Sequence, residues 1–167
     1  EIISDEIEIV HYLRENHPDI SELPFLNDEC DPMGGWYVPR AWRTGPFYAG
    51  IIPKIINQHQ RIMVEDEKVN YFLLSNDNAF LGHWNQRTLC ALFGDKESQA
   101  FDLIPQPCLS VMALLSLLGD EVLRTDRPFP NIYSEYGILP TRRGGDYFAT
   151  LIYHCPDDPA MTGQSEL

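Results

Sequence analysis

Few side chains in this chain have the types and spacing to do chemistry. His154-Cys155 with Asp157 places a base, a thiol and an acid close together, the composition of an activated nucleophile. Adjacent residues on a strand project to opposite faces, so a strand running through 154–155 turns His154 away from Cys155. His83 and Cys90 fall on neighbouring predicted strands and could meet across a sheet, although a half-buried imidazole and an inert core thiol explain the same pair. His83, Cys90, His154 and Cys155 could bind zinc only if folding gathers them, because no ligand-pair spacing is present. Asp28, Glu29 and Asp31 offer oxygen ligands in a loop. They lack the alternating acids, central glycine and terminal glutamate of an EF-hand, so neither a metal nor a cofactor is expected.

Arg142-Arg143-Gly144-Gly145 presents two guanidinium groups suited to a phosphate or carboxylate. It does not carry the GxxxxGK[ST] pattern of a phosphate loop, and GxSxG, HExxH, GxGxxG and kinase-type sets are also absent. Carboxylates are plentiful, but number alone does not identify an acid–base pair. With no motif specific enough to name a family, the sequence points to a binding protein rather than an enzyme.

The elements that must position these groups read as α+β. Residues 69–75, 79–84, 88–93 and 99–104 are short runs rich in aromatic and branched side chains, separated by polar turn segments. Connections this short imply antiparallel pairing, because parallel neighbours need crossovers of a dozen residues or more. From Leu109, the positions of Val111, Leu114, Leu115, Leu118 and Val122 predict a helix, and Met112 and Leu117 widen its stripe until it reads as buried. Its apolar run is far shorter than the roughly 20 residues a bilayer requires. Residues 147–154 (YFATLIYH) are apolar on both faces and predict a central strand beside the meander, and residues 127–141 predict a long loop. Residues 2–15 predict a helix with Ile3, Ile7 and Val10 on one face and Asp5 and Glu8 on the solvent side, with Glu6 near its positive end. Residues 51–64 are ambiguous: Pro53 excludes a central strand, and 61–64 could be a short edge strand.

The expected fold is therefore an antiparallel meander sheet of about five or six strands with helices packed mainly on one face. It is read as a single domain over 1–167: an acidic helix and loop at 1–35, sheet and core helix at 36–160, and a frayed tail at 161–167.

Composition then narrows the function. The formal charge of −13 disfavours nucleic acid and anionic membrane surfaces as partners, since both require neutralising Lys and Arg. The charge is uneven: residues 1–32 hold ten acids and one base, whereas 33–64 hold four bases and no acid. Four scattered cysteines without a CxxC pair, and no basic-then-apolar leader, suggest a reducing cytoplasm. The expected function is an acidic inhibitor or immunity-type protein that docks on a basic protein partner such as a toxin or nuclease. Asp5, Glu8, Asp19, Glu22, Asp28, Glu29 and Asp31 would steer the encounter, and Trp36, Tyr37 or Trp42 would anchor it. The alternative is a small ligand-binding or enzymatic domain whose pocket holds an anion through Arg142 and Arg143, near His83 or His154.

Overall fold

The computed structural model describes residues 2–28, 30, 40–75, 89–95, 97, 100–125 and 135–158. The chain divides into two compact units, Glu1–Gly34 with Ile55–Asp77, and Gly35–Lys54 with Asn78–Leu167.

In the first unit, helix α1 (Ile2–Asn16) buries Ile3, Glu6 and Val10, which share one face at three- and four-residue spacing. Its last turn closes through His17 N donating to Leu13 O, just before Pro18 stops the helix. Arg14 lies in that last turn, where a cation suits the helix dipole, and it also donates to Glu67 at 3.2 Å. Strand β1 (Phe25–Asn27) runs parallel to β2 (Tyr71–Leu74). The π-helical segment His59–Asp66 packs His59, Ile62 and Met63 inward, and Glu67 N donates to Ile62 O across the wider turn.

The second unit contains a short 3-10 turn (Ala41–Thr44) and the part of helix α2 (Pro46–Gln58) up to Lys54. Pro46 at the first helical position suits an N-terminus, where no intrahelical partner for the missing N–H is needed. Strands β3 (Cys90–Asp95) and β4 (Ala100–Pro105) form an antiparallel hairpin in register from Cys90 opposite Pro105 to Asp95 opposite Ala100. Helix α3 (Pro107–Ser116) follows, and β5 (Glu121–Val122), β6 (Tyr136–Arg143) and β7 (Tyr147–His154) make a three-stranded sheet in chain order. Gly144 turns the β6–β7 hairpin at φ +63°, a conformation glycine adopts without steric cost.

Among the described residues the single meander is corrected to three small sheets, one of them parallel. The segment 69–75 does supply a strand, but β2 pairs with β1, three residues long and more than forty positions earlier. Strand propensity reports a fit to a pleated surface and not the identity of the partner. The run 79–84 lies outside the described residues. The segment 147–154 pairs with β6, which emerges from the predicted loop because Pro140 sits within it. Pro140 faces Thr150 and still accepts Leu123 N through its carbonyl, so the missing N–H is tolerated. The predicted edge strand at 61–64 is helical. Pro53 lies inside α2, fully buried, among Tyr48, Ile51, Ile52 and Ile55, whose helical spacing outweighs the breaker. Helix α3 is not buried all round: it covers Cys108 and Val111 and leaves Leu114 49% exposed, with Leu117 just past its end 58% exposed. Among the described residues no helix is long and apolar enough to cross a membrane.

Gly119 donates its N–H to Thr141 Oγ1 at 2.7 Å, and a Cβ there would run into the Arg142 backbone. Backbone cannot swing aside as a side chain can, so Gly119→Ala is expected to cost about 1–3 kcal/mol by urea unfolding. Gly145→Ala, which adds a methyl group to open space, serves as the control.

Candidate functional site

The polar centre of the first unit is the carboxylate of Glu6, carried on the buried face of α1 with only 5% of the residue exposed. Each neighbouring segment sends it a group. Asn27 at the end of β1 donates Nδ2 to Oε1 at 2.5 Å. Tyr71 at the start of β2 reaches both carboxylate oxygens with its hydroxyl at 3.2 Å. His59 places Nε2 3.0 Å from Oε2. Burial alone would raise the Glu6 pKa. The hydrogen bonds from His59 and Asn27, the positive charge His59 carries when protonated, and the Tyr71 hydroxyl together hold it below 4.5. Burial, then the facing Glu6 carboxylate, pushes Tyr71 up, so its hydroxyl remains a donor.

His59 is fixed from behind. Its Nδ1 lies 2.8 Å from Ile55 O, a carbonyl that can only accept, so Nδ1 carries a proton and Nε2 faces Glu6. The ring meets Tyr71 edge-on at 5.5 Å, and Cys30 Sγ lies 3.9 Å from Nε2. The ionisable atoms of Glu6, Cys30 and His59 all lie within 4.8 Å of one another, and all three residues are buried.

This centre sits beside the C-terminal end of β1. Ser75 N donates to Asn27 O at 3.0 Å, and Ser75 O accepts Cys30 N at 2.8 Å. In a regular parallel ladder the two partners of one residue are two positions apart. Here they are three apart, so the backbone pairing beyond the last ladder pair, Asn27 with Leu74, departs from a regular parallel ladder. Asp28 and Glu29 are the residues between those partners in the sequence.

The second unit has a separate polar cluster. Lys54, nearly buried, donates Nζ to Cys155 O at 3.1 Å and to Asp157 Oδ1 at 2.7 Å. Burial pushes the Cys155 thiol up to about 11, more than the nearby Lys54 ammonium draws it down. His154 does not act on Cys155: it stacks on Tyr136 with ring centroids 4.2 Å apart and approaches Glu135 at 3.4 Å. Arg142 pairs with Glu121 at 2.6 Å, and Arg143 donates to Leu118 O while lying over the Tyr147 ring.

Asp5, Glu8, Asp19, Glu22 and Asp28 are exposed in the first unit. Trp42 belongs to the second unit and is half-buried against Phe47 and Tyr48. Glu29, Asp31, Trp36, Tyr37 and His83 lie outside the described residues. Arg142 and Arg143 are near the turn of the β6–β7 hairpin, and His154 pairs with Tyr136 at its far end. Six register positions separate them, or about 20 Å, so one anion site does not join them.

Sequence reasoning missed Glu6, Cys30, His59 and Tyr71. One signal was readable: Glu6 follows Ile3 by three and precedes Val10 by four, and so falls on the apolar stripe of α1.

Residues 2–147, most of the chain, match the family described as glycosyl hydrolases family 39. The chain belongs to that family. It is 37% identical to human α-L-iduronidase over 73% of its own length and 20% of that enzyme. It is 38% identical to the dog α-L-iduronidase over 94% of its length and 27% of that enzyme. A solved bacterial orthologue of human α-L-iduronidase superposes with a TM-score of 0.84 at 39% identity, covering 94% of this chain and 27% of that one. This family 39 chain thus spans less than a third of the relatives it matches. The structural neighbour is a TIM-barrel-type glycosidase domain, and the described residues of this chain form small sheets. The α+β meander gives way to that fold, and the inhibitor or immunity reading gives way to a glycoside hydrolase family. Net charge had supported the earlier reading, but it does not distinguish acids that steer a partner from acids that hold a strand end together.

Two outcomes follow. Glu6→Ala should cost about 3–5 kcal/mol by urea unfolding, because it strands polar groups built around a buried charge, and Glu6→Gln should cost less. The Cys155 pKa is raised from 9.0 to about 11, so its contribution to stability is complete below pH 9 and is lost as pH rises through 11. Native Cys155 should resist alkylation at pH 8, as read by mass spectrometry, and become reactive once the chain is unfolded.

Proposed function

We propose that this chain is part of the catalytic domain of an α-L-iduronidase-type glycoside hydrolase, acting on glycosides of α-L-iduronic acid. The observation that carries the proposal is the 39% identity and 0.84 TM-score to the bacterial orthologue over 94% of the chain. In TIM barrels the active site forms at the C-terminal ends of the parallel strands. Glycoside hydrolysis takes a pair of Asp or Glu carboxylates, one on each side of the scissile bond.

Strand β1 is parallel to β2, and Asp28-Glu29 follows its C-terminal end directly in the sequence. One of these two carboxylates is the reacting group that this chain supplies, and its partner comes from elsewhere in the longer protein. The Ser75–Asn27 backbone hydrogen bond and the Asn27–Glu6 side-chain hydrogen bond hold the strand end that precedes these two acids in the sequence. The same two acids that composition alone assigns to steering are therefore assigned to bond cleavage.

The full-length protein should release the aglycone from an aryl α-L-iduronide, followed by absorbance. Asp28→Asn and Glu29→Gln should be made separately. One of them should lower kcat by about 10²–10⁴-fold with a smaller effect on KM. If neither lowers kcat even tenfold, the assignment to the end of β1 is wrong.

A further inference from the structure

We propose that Glu6, Cys30 and His59 form a binding site for a thiophilic divalent cation, with Zn2+ as the ion that fits. The proposal rests on the geometry of this buried cluster and not on the hydrolase reading.

The donor set is the first argument. Carboxylate oxygen, thiolate sulfur and imidazole nitrogen are the three side-chain ligand types of zinc. Here one of each converges, from α1, the segment after β1 and the π-helical segment. Distances are the second. Tetrahedral donors at the usual zinc bond lengths of about 2.0–2.3 Å lie roughly 3.3–3.6 Å from one another. Nε2 of His59 lies 3.0 Å from Glu6 Oε2 and 3.9 Å from Cys30 Sγ, each within a few tenths of an ångström of that range, and all three donor atoms lie within 4.8 Å of one another.

The surrounding groups are the third. His59 holds its Nδ1 proton against Ile55 O, the arrangement by which an outer partner fixes a ligating histidine and aims its other nitrogen at the metal. Asn27 and Tyr71 hydrogen-bond the Glu6 carboxylate in the same supporting role. Charge is the fourth argument. A carboxylate, a thiolate and a neutral imidazole together carry two negative charges, matching a divalent cation, so binding leaves no net charge in a buried site. Binding forms the Zn–S bond and breaks S–H, releasing the Cys30 proton to solvent together with any proton shared between His59 Nε2 and Glu6. Water supplies the fourth ligand.

The test uses the full-length protein, stripped with a chelator and then titrated with Zn2+ alone by calorimetry and with Co2+ alone by absorption. The expected result is one tight Zn2+ per chain and a thiolate-to-cobalt charge-transfer band in the near ultraviolet. Cys30→Ala should abolish the band, and His59→Gln should weaken Zn2+ binding at least tenfold. Cys155→Ala should leave both signals intact. Absence of tight Zn2+ uptake or of the cobalt band in the wild-type protein overturns the proposal. So does uptake that Cys30→Ala and Glu6→Gln leave unchanged. Because the wild-type spectrum decides by itself, a Cys30→Ala protein that fails to fold does not protect the proposal.

Discussion

A carboxylate taken out of water must be met by hydrogen bonds or opposite charge, and around Glu6 that requirement organises the first unit. Its partners come from β1, β2 and the π-helical segment, and none is near Glu6 in sequence. Strand β1 is three residues long, too short for its own ladder to fix its register. The polar centre does that instead. Asn27 at the end of β1 and Tyr71 at the start of β2 both donate to Glu6, so both strands are tied to the same carboxylate on α1. A fully satisfied buried network rigidifies what it touches, here the strand end that leads into Asp28-Glu29.

Ser75 extends the same logic. Its N–H donates to Asn27 O and its carbonyl accepts the Cys30 amide, so the residues on both sides of the Asp28-Glu29 dipeptide are tied to one residue just past β2.

Much of the secondary structure was legible, and its assembly was not. The face of α1, the start of α3 and the β3–β4 hairpin could be read from spacing, because periodicity and short polar turns are local signals. The strand at 71–74 was also visible, but its partner was not, because three residues at 25–27 carry no pattern that stands out. Pro53 and Pro140 misled for opposite reasons. In α2 the buried isoleucines outweigh a helix breaker, and in β6 a strand tolerates a proline whose carbonyl still accepts. The candidate site was hidden by counting charge. Glu6 was read only as an acid near the positive end of α1, yet its place on an apolar stripe was the one clue that it was buried.

The direct test is amide hydrogen exchange at Cys30 and Ser75 in the folded full-length protein, compared between wild type and Glu6→Gln. If the Glu6 centre holds the end of β1, both amides are among the slowest to exchange in the first unit. In the variant they then quicken more than the amides of the α1 backbone. Equal rates in the two proteins at these positions would show that the strand end is held by something other than the buried carboxylate.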